Sequence, residues 1–262
     1  MVIKLTINKV LLRTSDTEKH ITNLYITLNM KSENTHSFSD VLKSITQDRG
    51  RTNILRKYEQ NALAYLVQRV PAFISSDMLT AIGFFGSIII FTSFVLASFF
   101  GPIYLLLGVF GYFVSWLGDS LDGRLAYYRN KQRKWYGFAL DLAAEWIGVA
   151  LMGFGYVIYI ENSWEIIGFS FVVLYGWEIL TTLVRYKVTN KYSIDSGLLG
   201  PTEVRIVISL MLVLEVFVKD SLIYTASIAC VILLISNIVD FYKLLKMADA
   251  QDKAEKELKK NE

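Results

Sequence analysis

Six stretches of the 262-residue chain are apolar nearly all round a helix, at about 78–99, 101–118, 138–160, 164–184, 203–218 and 221–243. A hydrocarbon core of about 30 Å takes about 20 apolar residues in a helix, whereas a helix in water keeps one polar side. The pattern predicts an all-α integral membrane protein with six transmembrane helices. The second and fifth stretches are short, so their helices are expected to run on into the interface. Ahead of the first, Ile54, Leu55, Tyr58, Ala62, Leu63, Leu66, Val67 and Val70 recur at helical spacing, with Arg56, Lys57, Glu59, Gln60 and Arg69 between them. That predicts an amphipathic juxtamembrane helix over 51–71, lying on the bilayer surface. Further upstream, Ile3, Leu5, Ile7 and then Leu24, Ile26, Leu28, Met30 alternate, which suits two half-buried strands. Met30 as the true start is the alternative. The expected organisation is an N-terminal extension (1–50), the juxtamembrane helix, a six-helix membrane domain (72–245) and a charged tail (246–262).

Composition sharpens this picture. Hydrophobic residues make up 53% of the chain and charged ones only 19%, with a mean hydropathy of +0.38; a soluble domain carries about 25% charged residues. The net charge of +3 is too small to point to nucleic acid. Cys230 is the single cysteine, and the two histidines, His20 and His36, sit in the polar N-terminal region. Those counts exclude an internal disulfide and a Cys/His zinc site. Residues 1–30 contain no continuous apolar run of the kind a secretory signal needs.

The cations set an expected orientation. Arg124, Arg129, Lys131, Arg133 and Lys134 lie between the second and third stretches, and Arg185, Lys187 and Lys191 between the fourth and fifth. The remaining connections hold one lysine between them. By the positive-inside rule both termini and the two basic loops face the cytoplasm.

Acids then stand where a membrane should be. Asp119 and Asp122 are three apart and Gly137, Asp141 and Glu145 four apart, so each set shares one helix face. Two antiparallel helices joined by a short basic turn bring these carboxylates together at the cytoplasmic end. An ionised acid at the centre of a bilayer costs about 2.5–3.5 kcal/mol on insertion scales, and four together repel. Bound Mg²⁺ or Mn²⁺ would relieve both costs, because hard cations prefer oxygen ligands. Two acids from each helix suit a pair of ions acting on a phosphoryl group. Gly123 and Ala126 leave a shallow face for a nucleotide or pyrophosphate. The bland alternative is four interfacial acids that solvate or pair with the adjoining cations.

The run DSLDGRLAYYRNKQRKWYGFALDLAAE resembles the signature of the CDP-alcohol phosphatidyltransferase family, D-x-x-D-G-x-x-A-R, then eight or nine residues, then G-x-x-x-D-x-x-x-D. Asp119, Asp122, Gly123, Ala126, Gly137 and Asp141 occupy matching positions. Tyr127 stands in place of the arginine and Glu145 in place of the last aspartate; Arg124 or Arg129 could take over from the missing cation. The resemblance covers about residues 50–245. It implies a CDP-linked lipid of the CDP-diacylglycerol type as donor and a small alcohol as acceptor, with CMP released and Mg²⁺ or Mn²⁺ required. It implies metal ligation by Asp119, Asp122, Asp141 and Glu145, with Glu145 also the base. It further implies nucleotide contacts at Gly123, Ala126, Gly137 and Asp122, and a homodimer.

The acceptor is less legible. Arg205, just inside the fifth stretch, could form a cationic pocket with Arg185 and Lys187, with Glu203 as a further acceptor contact, suited to inositol, inositol phosphate or glycerol phosphate. Pro201 and Glu203 also suit an ordinary helix start. Glu178 is open between pairing with Arg185, lining that pocket and reaching the interface. Glu215 and Asp240 are expected at helix ends near the interface. Three other functions compete: a CDP-aminoalcohol phosphotransferase using diacylglycerol, a catalytically inert member of the same family, and a transporter of divalent cations or organic ions. A transporter would place acids and helix breaks near the midplane in two related halves, and no such repeat is visible.

Overall fold

The structure, a computed structural model, describes residues 41–42, 55–160, 162–189 and 200–261. The chain divides into units of residues 1–43 and 44–262. Of the first unit, only Val41 and Leu42 are described, both helical; the alternating stretches upstream lie outside the described residues. The second unit consists of α1 (Arg56–Val67), α2 (Ser76–Phe100), α3 (Leu105–Tyr128), α4 (Lys134–Tyr159), α5 (Ile166–Thr189), α6 (Pro201–Phe217) and α7 (Ser221–Asn261). Short 3₁₀ turns at Pro102–Tyr104 and Asn162–Glu165 lead into α3 and α5. No strand occurs among the described residues.

Local chemistry sets the boundaries. Ser75, in an extended conformation, caps α2 by accepting from the Met78 N–H at 3.1 Å. Gly101 ends the helix at φ 104°, a conformation that costs glycine little, and Pro102 follows. Pro201 opens α6, and Glu203 reaches back to accept from the Gly200 N–H at 3.0 Å. The other Glu203 oxygen accepts from the Leu55 N–H, also at 3.0 Å, tying the start of α6 to the chain just before α1.

Five helical segments are long and apolar enough to cross a membrane: 76–100, 102–128, 134–159, 163–189 and 221–259. The fifth of the six expected spans, α6, has 17 residues and rises about 25 Å at 1.5 Å per residue, short of a full hydrocarbon layer. The second runs on past its apolar stretch, as expected, through the acids to Tyr128. Large apolar side chains such as Phe85, Phe110, Val173, Leu210 and Ile232 point outward, as lipid contact allows. A buried cluster of Ile90, Phe94, Leu105, Tyr112, Tyr156, Leu212 and Leu222 joins α2, α3, α4, α6 and α7 towards the end of the bundle remote from the α3–α4 turn.

The tightest contact is between α2 and α3, where glycines let the backbones touch. A Cβ built on Gly118 would lie 2.3 Å from the Gly83 nitrogen, and one on Gly86 would lie 2.5 Å from the Ser115 nitrogen. Small residues at such crossings are how apolar helices approach closely without a hydrophobic drive between them.

α1 is anchored to protein along its apolar face. Leu63, Ala64 and Val67 are buried, and the helix packs against α3. Glu59 forms a buried ion pair with Arg124 of α3 at 3.7 Å. Arg129, at the end of α3, donates to the carbonyls of Val70 (3.0 Å), Pro71 (2.9 Å) and Ile74 in the α1–α2 linker. Arg124 and Arg129, expected as stand-ins for the cation missing at Tyr127, are therefore committed to holding α1 and the α1–α2 linker respectively.

Glu215, expected near the interface, is 2% exposed. It accepts from the Tyr159 hydroxyl (2.9 Å), the Ser221 hydroxyl (3.2 Å) and the backbone N–H groups of Asp220 (3.2 Å) and Leu222 (2.7 Å). A carboxylate in that position offsets the positive end of α7. Glu215→Leu strands these donors, each worth about 1–3 kcal/mol when left unsatisfied, so thermal unfolding in detergent should move down strongly. Glu215→Gln should recover part of the loss.

Candidate functional site

Helical spacing carries the acids to one end of the bundle, and the turn between α3 and α4 closes them together. Asn130, at φ 52°, reverses the chain; asparagine tolerates this left-handed conformation better than most residues. The Lys131 N–H bonds the Ala126 carbonyl at 2.9 Å, and α4 starts at Lys134. A cavity of about 380 Å³ opens beside this turn. Its walls come from the start of α2 (Ser76, Asp77, Thr80), the end of α3 (Asp119, Gly123, Ala126, Tyr127), the start of α4 (Gly137, Asp141, Glu145) and the start of α6 (Thr202, Arg205). Lys131, Arg133 and Lys134 form its basic rim, with Trp135 beside them. Arg133 pairs with Asp77 across the mouth and stacks on Tyr136 at 4.1 Å. The hydrogen bond to Asp77 is the main reason the Arg133 guanidinium holds its proton more tightly than usual.

Three of the four acids line this cavity. Asp119, 47% exposed, accepts from the Arg205 guanidinium at 2.8 Å. Glu145 accepts from the Tyr175 hydroxyl of α5 at 2.6 Å. Asp141 lies on the α4 wall one turn before Glu145. Asp122 is set behind the wall, 2% exposed; the Thr80 hydroxyl donates to its Oδ2 at 2.8 Å, and the Gly123 N–H donates to Oδ1. Asp119 and Asp141 both lie within electrostatic reach of Asp122, as do Asp119 and Arg205 of Glu145.

As placed, no three His, Cys, Asp or Glu side chains among the described residues converge on one ion-sized point. The donor set nevertheless suits a hard divalent cation in kind. It consists of carboxylate oxygens facing or flanking one polar cavity, on α3 and α4, both of which pack against α2. Gly137 adds a cradle: a Cβ there would meet no protein atom within 4 Å, so packing does not require glycine and the space belongs to the cavity.

Among the residues read as acceptor contacts, Arg205 alone lines the cavity. Arg185 lies 3.9 Å from Asp240 of α7, a buried residue that also pairs with Lys243 at 3.1 Å. Lys187 and Glu178 are absent from the cavity wall, and Glu203 is occupied in fixing the start of α6. The ion pair of Arg185 is thus with Asp240, and the cationic pocket reduces to Arg205. Thr80 and Tyr175 escaped the sequence reading. Neither carries charge, and each contacts an acid from a helix outside the signature; a threonine and a tyrosine in apolar runs give no signal of their own.

A family model described as CDP-alcohol phosphatidyltransferase matches residues 73–242. No curated relative matches the chain.

Proposed function

Since the chain belongs to the CDP-alcohol phosphatidyltransferase family, we propose that it moves a phosphatidyl group from a CDP-linked lipid, of the CDP-diacylglycerol type, to a small alcohol and releases CMP. The observation that carries this reading is the cavity at the α3–α4 turn, where carboxylates from both halves of the signature meet a guanidinium from α6. The orientation read from the cations puts this end, both termini and the acceptor's entrance at the cytoplasmic face. α6 then counts as a sixth, short span.

The roles follow from position. Gly123, Ala126 and Gly137 leave backbone and open space along one wall, suited to the flat base and pyrophosphate of the donor. Asp119, Asp122, Asp141 and Glu145 would hold Mg²⁺ or Mn²⁺. A divalent cation bound there would neutralise the pyrophosphate and polarise the phosphorus under attack. Glu145 takes the proton of the acceptor hydroxyl, whose oxygen bonds to the lipid-bearing phosphorus as the bond to CMP breaks. Basic assistance of this kind contributes about 10²–10⁴-fold. Arg205 lies across the cavity on Asp119 and is the cation best placed for an anionic or polyhydroxylated acceptor, such as inositol, inositol phosphate or glycerol phosphate. The lipid chains leave sideways between apolar helices, so the reaction takes place at the membrane surface.

The test is CMP release from CDP-diacylglycerol by the purified full-length protein in mixed micelles, with Mg²⁺ or Mn²⁺ and a panel of alcohols. Release that needs both the metal and one acceptor is expected. Release from CDP-ethanolamine or CDP-choline with diacylglycerol instead would redirect the assignment to the aminoalcohol branch. No CMP with any pair would overturn the enzymatic reading in favour of an inert or transporting protein.

A further inference from the structure

The hydrogen bond from Tyr175 to Glu145 joins a residue of the proposed machinery to one with no place in it. Tyr175 is on α5, outside the cavity wall, with its ring centroid 5.9 Å from that of Phe171. Its hydroxyl donates to Glu145 Oε1 at 2.6 Å. Glu145 belongs to α4, thirty residues away, and lines the cavity.

Glutamate has one more rotatable bond than aspartate, so ordering its side chain costs more rotamer entropy. A proton acceptor must also sit within about 2.6–3.2 Å of the proton it takes. A long acid on the cavity wall is therefore a poor base unless something fixes it. A tyrosine can fix it, because it has two side-chain torsions, a bulky ring held by packing, and one donor at a set height.

We propose that Tyr175 is a positioning residue for Glu145: it engages Oε1 from behind the wall, selects one rotamer of the longer carboxylate, and leaves Oε2 to the acceptor side of the cavity. The inference rests on the phosphatidyl-transfer reading above. The contact uses the extra methylene of Glu145, so an aspartate at 145 would fall short of the hydroxyl, and Tyr175 would lose its effect. Arg205 and Asp119, paired with each other at 2.8 Å, lie within electrostatic reach of both Glu145 and Tyr175, and their own bond does not involve the tyrosine hydroxyl.

The experiment is a four-protein cycle of wild type, Y175F, E145D and the double variant, each full-length. It is read by CMP release with Mg²⁺ and, without donor or metal, by thermal unfolding. In the wild-type background Y175F should lower kcat about 10- to 100-fold, as misplacement of a reacting group by about 1 Å does, with the donor KM nearly unchanged. In the E145D background the same change should cost less than about twofold, because the pair no longer interacts. The unfolding midpoints should show the same coupling, which reports the contact independently of turnover. Equal losses in both backgrounds, or a loss confined to KM, would overturn the proposal while leaving the transferase reading intact. A wild type that releases no CMP with any acceptor would overturn both, whatever the unfolding data show.

Discussion

Asp122→Asn should reduce CMP release by at least about 10²–10³-fold, the loss typical when one preorganised electrostatic group is removed, while the protein unfolds at nearly the wild-type temperature. The expectation of an intact fold comes from how Asp122 is held. It is 2% exposed and accepts from the Thr80 hydroxyl and the Gly123 N–H. Asparagine is nearly isosteric: its carbonyl oxygen keeps one of those donors, and its amide can turn towards the oxygen of Thr80, which is both donor and acceptor. Only the charge disappears. The charged groups that act most on Asp122 are two further acids, Asp141 and Asp119, so its charge is set among repelling neighbours. Its proposed purpose is to attract a divalent ion and, with it, the pyrophosphate. Two measurements decide the matter: metal-dependent CMP release and an unfolding curve on the same preparation. Near-normal turnover in the variant would remove Asp122 from the site, and a collapsed unfolding midpoint would make its role structural.

The second large effect is expected at Gly118, and it should look different. A Cβ at this position would stand 2.3 Å from the Gly83 nitrogen, 2.5 Å from the Gly83 Cα and 2.5 Å from the Leu79 carbonyl oxygen. These are backbone atoms, so no side chain can turn aside and α2 must move away from α3. Overpacking of well-fitted helices costs about 1–3 kcal/mol and sometimes more. The displacement also opens the contact that holds Thr80 against Asp122, and Asp119 is the next residue along. Gly118→Ala should therefore lower the unfolding temperature and CMP release together, the latter by about 10²-fold for a shift near 1 Å. Gly137→Ala is the control. Its Cβ meets nothing within 4 Å, so stability should hold while the donor fits less well and its KM rises. If Gly118→Ala is as stable and active as wild type, the close approach of α2 and α3 is wrong. Equal behaviour of the two variants would mean that Gly137 is a packing residue and not part of a nucleotide cradle.

The periodic features were legible in the sequence, and features made by distant partners were not. The apolar stretches predicted α2 to α7 because span length and helical spacing are local properties; only α6, at 17 residues, falls short of a full crossing. Asp119 with Asp122, and Asp141 with Glu145, could be assigned to common faces from separations of three and four. The fate of the cations could not be read this way. Arg124, Arg129, Arg185 and Arg205 look alike in a sequence, yet one pairs with Glu59, one holds linker carbonyls, one meets Asp240, and only Arg205 enters the cavity. Glu203 likewise read equally well as a helix cap and as an acceptor ligand; its bond to Leu55, 148 residues away, decided for structure.

Sequence by itself determined that this is a helical membrane protein with two acidic faces, joined by a basic turn and carrying a phosphatidyltransferase signature. Helix periodicity, hydrocarbon thickness and the high cost of unpaired charge in lipid act on neighbouring residues, so a linear reading captures them. Tertiary structure decided which groups share a cavity, that Asp122 sits behind its wall, and that Tyr175 reaches Glu145. Those outcomes depend on how closely two backbones can approach at Gly83 and Gly118 and on side chains 30 to 86 residues apart, which no spacing rule along a single helix encodes.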